Sequence, residues 1–487
     1  MGRVFLLVIF LTLSLAANAN GDVAADSYLA DVEQSLETIK LNKVKVKDLF
    51  AKNHAGTRYK PVKLEASISQ PVFYNLGEII SHAVENNLNY LISQEQNKEA
   101  KWKLWSKYAD MLPDFSLNAQ TRNVDGTFYL NSSVQAPIDE RVSSAGMRLN
   151  YRAFDGGTTS FLALAERFYK KSSDELMKDQ FNKVILDSMS LYFDMVSAQS
   201  NLSAKLHALE QAKANMDLAE KYFKAGTGTK FDVIQAEARL ARAQQGLVTA
   251  ETGYRISQIN LTEHLNLPLL TPINIAFDEV QNFKLIDESM KIDEFLQISH
   301  EKNPRIKSRL NLRKGAVKEG LSKVGAFLPD VDLYADFSGT GEEFSDLFGV
   351  TTMGVQLDYQ IGKGLGVSHV AEVMKAKAQV EQAKLEYEKE KISIEKDLRL
   401  AFIQYQESKS LLQAANLELS AAKESLRISR LRYENGIEIF SNLVEKEAEL
   451  ADAEQSLIDS LTSYNLAQLR LLYEMGDIQI EKLITQN

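Results

Sequence analysis

The sequence predicts a mainly α-helical chain of two duplicated long-helix hairpins, with a small set of membrane β-strands between them. Three observations carry this: the chain repeats itself, two long stretches lack proline, and four short segments alternate apolar with polar residues. The repeat is read at a fixed offset. Gly226-Thr227-Gly228 has its counterpart in Gly436-Ile437-Glu438, 436 − 226 = 210 positions on. Glu237, Ala238, Leu240, Ala241, Ala243, Gln245 and Leu247 recur without a gap as Glu447, Ala448, Leu450, Ala451, Ala453, Gln455 and Leu457. Asn87 and Leu112-Pro113-Asp114 recur as Asn303 and Leu328-Pro329-Asp330, where 303 − 87 = 216. Self-similarity of this kind means two similar supersecondary modules packed side by side.

The first residues read as an address. Arg3 precedes the apolar run Val4 to Leu15, and Ala17-Asn18-Ala19 gives a small-x-small cleavage site. That pattern is a secretory signal peptide over residues 1–19. The apolar run is too short for a spanning helix, which takes roughly 20 residues. The chain then divides into an N-terminal extension of unreadable role (20–75), a first structural repeat (76–275) and a second of the same plan (276–487). Pro61 and Pro71 give the extension the look of an extended tether.

There is no cysteine, so disulfides, thiol catalysis and thiolate metal sites are excluded. A formal net charge of −10 argues against a nucleic-acid partner. Beyond the leader no apolar stretch reaches spanning length, so any membrane insertion falls to β-strands.

No proline occurs from Ser160 to Leu267 or after Pro329, and both stretches are rich in Ala, Leu, Glu, Lys and Gln. Each reads as two long helices meeting at a glycine-marked turn, near Ala225 to Thr229 and near Asn435 to Ile437. The first arm, Thr159 to Lys224, would run about 100 Å at 1.5 Å per residue. The returning arms carry a heptad-like seam: Val233, Ala236, Leu240, Ala243, Leu247, Ala250 and Tyr254, then Leu443, Leu450, Ala453, Leu457, Tyr464, Ala467 and Leu471. Many seam positions are alanine, which lets helices approach closely.

Four segments have period two. Phe115, Leu117, Ala119 and Thr121 alternate with polar neighbours, as do Met147, Leu149 and Tyr151. Val331, Leu333, Ala335 and Phe337 repeat the pattern, followed by Val355, Leu357, Tyr359 and Ile361. One apolar and one polar face at about ten residues fits a tilted membrane strand. The stretches between them, Asn123 to Ser144 and Ser338 to Thr352, read as long polar loops. Four strands cannot close a barrel, and lipid does not tolerate an open edge. Membrane strands in this number therefore require an oligomer.

At this point the chain resembles a known family, the TolC-type outer-membrane efflux proteins. The resemblance rests on the duplication, the Asn303-Pro304 step, Leu112-Pro113 and Leu328-Pro329 before strands, Phe154-Asp155-Gly156-Gly157 after the second strand, and the tips Tyr222 to Gly226 and Tyr433 to Gly436. It implies a homotrimer in the bacterial outer membrane, extending into the periplasm. In that arrangement a 12-stranded β-barrel, four strands per protomer, tops a trimeric α-helical barrel. It also implies passive export for a tripartite efflux or type I secretion system, with a periplasmic adaptor and an inner-membrane pump as partners and outer-membrane lipid around the strands.

The resemblance further assigns roles to residues. Glu445 and Asn442 fall where the family carries acidic residues at its periplasmic aperture; Asn442 departs from the usual aspartate. Three copies of Glu445 around one aperture would concentrate field and attract cations. Asp232, Lys230, Gly226, Gly436 and Glu438 lie at the hairpin tips, where closure and adaptor docking are expected. Lys230 is placed to pair with Glu438, and Asp232 serves equally well as a helix cap. Arg148, Arg152, Asp332, Asp336 and Asp358, on the polar strand faces, would line the barrel lumen. No cofactor is implied. None of His54, His82, His207, His264, His300 and His369 has metal-ligand spacing to another. No phosphate loop, serine elbow or catalytic carboxylate pair is present, so the chain reads as a non-enzyme. A periplasmic adaptor or a structural coiled-coil protein also carries long hairpins. An adaptor, however, has one hairpin rather than two, and a filament has no use for alternating strands.

Overall fold

The computed structural model describes residues 72–131, 134–269, 271–275, 282–435, 437–438 and 440–478. The expected leader, almost all of the N-terminal extension, and Gly436 lie outside the described residues. The first described element is a strand, β1 (Val72–Tyr74), paired in parallel with β4 (Ile273–Ile275). Asn75 then opens α1 (Leu76–Asn86) with a capping box closed by Glu78. The extension thus enters the fold at its C-terminal end.

The helices follow the predicted plan. After α1 come α2 (Leu88–Ala109), the 67-residue α3 (Thr158–Lys224) and its returning partner α4 (Lys230–His264). The second half repeats this as α5 (Ile292–Lys302), α6 (Pro304–Gly325), the 68-residue α7 (Val367–Glu434) and α8 (Phe440–Met475). Near the strands the helices lie in the order α2, α3, α6, α7; towards the hairpin tips the order is α4, α3, α8, α7. Along α4 the seam residues are its inward ones, with Ala236 and Ala250 buried. On α8 Leu443, Ala453, Tyr464, Ala467 and Leu471 are buried as the heptad pattern requires.

Four strands form one antiparallel sheet: β2 (Asp114–Asn131), β3 (Val134–Phe154), β5 (Asp330–Gly341) and β6 (Phe348–Asp358), in the order β2-β3-β5-β6. All four join their helices at the same end of the sheet. Two sequence expectations are corrected here. The stretch Asn123 to Ser144, read as a polar loop, is the outer part of a long hairpin, paired from Asn123↔Arg141 to Asn131↔Val134. Val124, Thr127, Phe128, Tyr129 and Ile138 favour strand, but the apolar positions here (Val124, Phe128, Leu130, Val134, Ala136, Ile138) are even-numbered, whereas those of Phe115–Thr121 and Met147–Tyr151 are odd, so the alternation breaks between them. Pro137 sits beyond Ser143, where β3 has already lost β5 as a neighbour, so one edge is free to accept it. The second hairpin is likewise strand at Ser338–Gly341 and Phe348–Thr352, with only 342–347 as turn. At its far end β6 stops at Asp358, short of Tyr359 and Ile361, where Gly362, Gly364 and Gly366 turn the chain with positive φ.

Large apolar side chains are buried mainly where the returning helices end and the short helices begin. One cluster joins Leu76, Ile185, Phe193, Phe295, Leu398 and Leu469; a second joins Ile79, Val184, Leu261, Leu265 and Ile273. Here the duplication is visible atom by atom. The Asn87 side chain caps α2 by accepting from the backbone N–H groups of Asn89 and Tyr90, and donates to the His264 carbonyl at 3.0 Å. Asn303 caps α6 through Arg305 and Ile306 and donates to the Glu474 carbonyl at 2.8 Å.

Candidate functional site

At the first tip Gly226 takes φ +76°, and the amides of Thr227 and Gly228 fold back onto the Tyr222 carbonyl. A Cβ on Gly226 would meet nothing within 4 Å, so glycine is required there for backbone conformation alone. Thr229 then caps α4. Its hydroxyl accepts from the Asp232 N–H at 3.2 Å, and the Asp232 carboxylate accepts from the Thr229 N–H at 2.9 Å. Bonds from the Thr229 hydroxyl and N–H hold the Asp232 carboxyl below the usual range. The cap is therefore Thr229, with Asp232 completing the box, which corrects the reading of Asp232 as the cap itself.

The expected Lys230–Glu438 pair does not form. Lys230 is exposed on the first tip, whereas Glu438 faces Arg432 of its own hairpin at 3.9 Å and accepts from Asn442 Nδ2 at 3.4 Å. Sequence proximity between tips gave no account of Arg432, which competes from one turn away. Asn442 stands at the repeat position of Asp232 (232 + 210 = 442), but Ile439 replaces Thr229, so the same box cannot be built. Glu445 lies one turn beyond Asn442 on the exposed side of α8, away from the buried Leu443. Its neighbour Glu447 turns inward, accepting from Gln211 of α3 at 3.2 Å, and Glu449 pairs with Lys446 at 2.7 Å. Among the described residues no such partner holds Glu445.

The five predicted strand residues share one face of the sheet, because the register sets Arg148 opposite Asp336 and Arg152 opposite Asp332. Arg148 Nη2 is 2.6 Å from Asp336 Oδ2, and Arg152 Nε is 3.5 Å from Asp332 Oδ1. Asp358, opposite Asp330, accepts from Gln356 at 2.6 Å. The other face carries Leu117, Met353, Val355 and Leu357, which are 73%, 68%, 70% and 66% exposed. A contiguous apolar face this open has no place in water and suits lipid. Among the described residues no helix is long and apolar enough to cross a membrane.

A further polar constellation was missed from sequence. Where α3, α6, α7 and α8 meet, Arg305 bonds Glu390 at 2.8 Å and lies 3.8 Å from Glu474, which is only 7% exposed. Tyr473 donates to Asp179 at 3.2 Å. Burial pushes the Glu474 carboxyl up to about 7, and burial also raises Asp179. The repeat position of Glu474 is His264 (264 + 210 = 474). Its Nε2 meets the Ser188 hydroxyl at 2.8 Å, and burial lowers its pKa. Spacing gave no signal for the cluster, since Arg305 and Glu390 are 85 positions apart. The one available signal was the repeat itself, which puts titratable residues at both ends of one equivalence.

Comparison with known proteins agrees with this architecture. The sequence matches the outer membrane efflux protein family over residues 81–267 and 323–476. It is similar to the outer membrane protein TolC of Vibrio cholerae, 21% identical over 85% of this chain and 93% of the relative. It is also similar to TolC of Escherichia coli K12, 22% identical over 85% and 84%. To the proteases secretion protein PrtF of Dickeya chrysanthemi it is 22% identical over 73% and 77%. Among solved structures, the Campylobacter jejuni CmeC outer membrane channel superposes with a TM-score of 0.72 at 18% identity, covering 84% of this chain and 88% of that one. CusC superposes with a TM-score of 0.69 at 17% identity, over 86% and 97%. With the family match spanning both halves, each with its strand pair and long hairpin, the chain belongs to the outer membrane efflux protein family.

Proposed function

We propose that this protein is the outer-membrane exit duct of a tripartite efflux or type I secretion assembly, working as a homotrimer. The observation that carries the reading is the sheet. It has a lipid-compatible face, a polar face and two unpaired edges, β2 and β6. Three copies close it into twelve strands, leaving no edge in the hydrocarbon. The polar face then lines the lumen, where the Arg148–Asp336 and Arg152–Asp332 pairs cancel locally and give little ion selectivity. The long helices continue the conduit through the periplasm, and transport through it is passive.

Selectivity falls to the tips. Glu445, exposed and unpaired among the described residues, supplies three carboxylates to one aperture, with Asn442 a turn away. Closure uses the Arg432–Glu438–Asn442 chain at the second tip, and the Thr229–Asp232 box stiffens the first. Gly226 and Lys230 belong to the surface offered to a periplasmic adaptor, through which an inner-membrane pump engages the duct; Gly436, outside the described residues, is assigned to it by its repeat position alone. Protease secretion, named for PrtF, and small-molecule efflux place the same demand on such a duct.

The test is planar-bilayer recording on protein purified from outer membranes, with its oligomeric mass measured alongside. A trimer with discrete, cation-preferring conductance is expected; a silent, well-folded monomer would overturn the reading. Glu445→Ala is expected to weaken block by divalent cations added from the tip side, and unchanged block would remove Glu445 from the aperture.

A further inference from the structure

The buried cluster at the four-helix junction has no part in forming a duct, yet it is expensive to maintain. A buried ion group persists only when charges and hydrogen bonds balance. Around Glu474 the one cation within 4 Å among the described residues, Arg305, is shared with another carboxylate. From α3 it faces Asp179, itself near Lys183; from α6, Arg305; from α7, Glu390 and Asp397, the latter paired with Lys396 at 3.1 Å; from its own helix, Arg470 and Tyr473. From α5 the Ser299 hydroxyl donates to its backbone carbonyl at 3.0 Å, and Lys302 pairs with Asp477 at 2.9 Å. Arg305 is already committed to Glu390 at 2.8 Å, and Glu390 is shared with Arg309 at 3.7 Å. Glu474 Oε2 is buried without a hydrogen-bond partner and sits 3.8 Å from Arg305. An ionised carboxylate there has a partial partner and like-charged neighbours; a protonated one needs no counter-charge, only an acceptor for its O–H.

We propose that Glu474 is a proton-operated latch: protonated, it seats the end of α8 against α6 and α7, and ionised, it loosens that seat. The direction follows from the geometry and agrees with burial holding the group near 7. A proton has a route, because Glu474 also lines a groove with Asp187, Glu407 and Arg470. The latch sits at one end of α8, while Asn442 and Glu445 occupy the other. A helix of 36 residues is a rod of about 54 Å, so loosening one end frees the tip to pivot. That last consequence rests on the duct reading; the latch does not.

The experiment is hydrogen exchange on the full-length protein in detergent at pH 5 and pH 8, corrected for intrinsic rates, read over the C-terminal part of α8. An opening that returns Glu474 to an ordinary carboxyl predicts a fall in protection of about fifty- to a hundredfold across that range. Glu474→Gln is expected to hold the pH 5 protection at both pH values. Flat protection in the wild type, or the same fall in the variant, overturns the latch. If Glu474→Gln does not assemble, Asp397→Asn serves. Removing that like charge must move the midpoint to lower pH, and an unmoved midpoint also overturns it. None of these readings depends on conductance, so failure of the latch and failure of the duct are told apart.

Discussion

Replacing the two equivalent asparagines by alanine tests how far the two halves are energetically alike. Both side chains cap a helix and both donate to a carbonyl at the end of a returning helix. Their surroundings differ in one respect. The Glu474 carbonyl also accepts from the Ser299 hydroxyl, whereas position 83, equivalent to 299 at the 216 offset, is alanine. Asn303→Ala therefore removes a cap but leaves the buried carbonyl one donor, and Pro304 keeps the first turn of α6 preset. Its cost is about 1 kcal/mol, the usual cap value. Asn87→Ala removes the cap, orphans the buried His264 carbonyl and takes a donor from His264 Nδ1, so it costs about 3 kcal/mol. Hydrogen exchange over residues 88–95 and 304–311 reads the difference directly. Protection should fall about fivefold beside Asn303 and more than about a hundredfold beside Asn87, at 1.4 kcal/mol per decade. Equal losses, or a larger loss at Asn303, would show that the unpaired carbonyl is not the deciding term.

Three further outcomes follow from named contacts. Gly476 has φ +75°, and a Cβ there would lie 2.6 Å from Asn303 Cα; the repeat counterpart Asn266 takes φ +54° with a side chain in place. Gly476→Asn should therefore destabilise the junction by about 2 kcal/mol in thermal melts even though asparagine tolerates the φ, because the contact decides. Arg148→Asp sets two carboxylates opposite each other across β3 and β5 and should raise cation preference in reversal-potential measurements. Adding Asp336→Arg should restore the wild-type value, at a fold cost of about 1 kcal/mol or less throughout. Glu474 has a folded-state carboxyl raised above its ordinary 4.5, so its contribution to stability is lost as pH rises from about 4.5 to about 7. Glu474→Gln should match wild type near pH 4.5 and exceed it above pH 7 by up to about 3 kcal/mol in chemical denaturation.

What the sequence revealed depended on whether a local pattern existed. The long helices were legible because proline is absent and the seam repeats; their returning arms bury the predicted alanines. The strands were legible only where one face meets an apolar environment. Beyond Thr121 the hairpin continues as strand with its apolar positions shifted from odd to even numbers, so a single unbroken alternation fails while strand propensity persists. At the tips, Thr229-x-x-Asp232 is a readable capping box, in which Thr229 rather than Asp232 is the cap. The Glu474 cluster could not have been read, since its members come together only when α6 and α8 end against both long helices.

The distribution of unpartnered surface also constrains how copies associate. One flank of the chain carries β2, α2 and α4, all from the first half, and the opposite flank carries β6 and α7 from the second. Both flanks expose apolar side chains that a lone chain leaves wet: Ile234, Val248 and Ile256 on α4, and Leu385, Ile392 and Leu417 on α7. A twofold axis in the membrane plane would pair like edges but send one set of helices to the wrong side of the bilayer. A twofold axis along the membrane normal that runs through the contact itself would pair β2 with β2 and leave both β6 edges open. Only a heterologous contact, first-half flank to second-half flank, satisfies both edges, and it must close into a ring to leave none. In that contact β6 of one protomer meets β2 of the next in antiparallel sense, continuing the alternation within the sheet. The duplication explains why the flanks match: each half builds a similar module, so the join between protomers can imitate the β3–β5 join between halves. The two joins then differ chiefly in covalent connection, which the chain supplies once per protomer and symmetry supplies elsewhere.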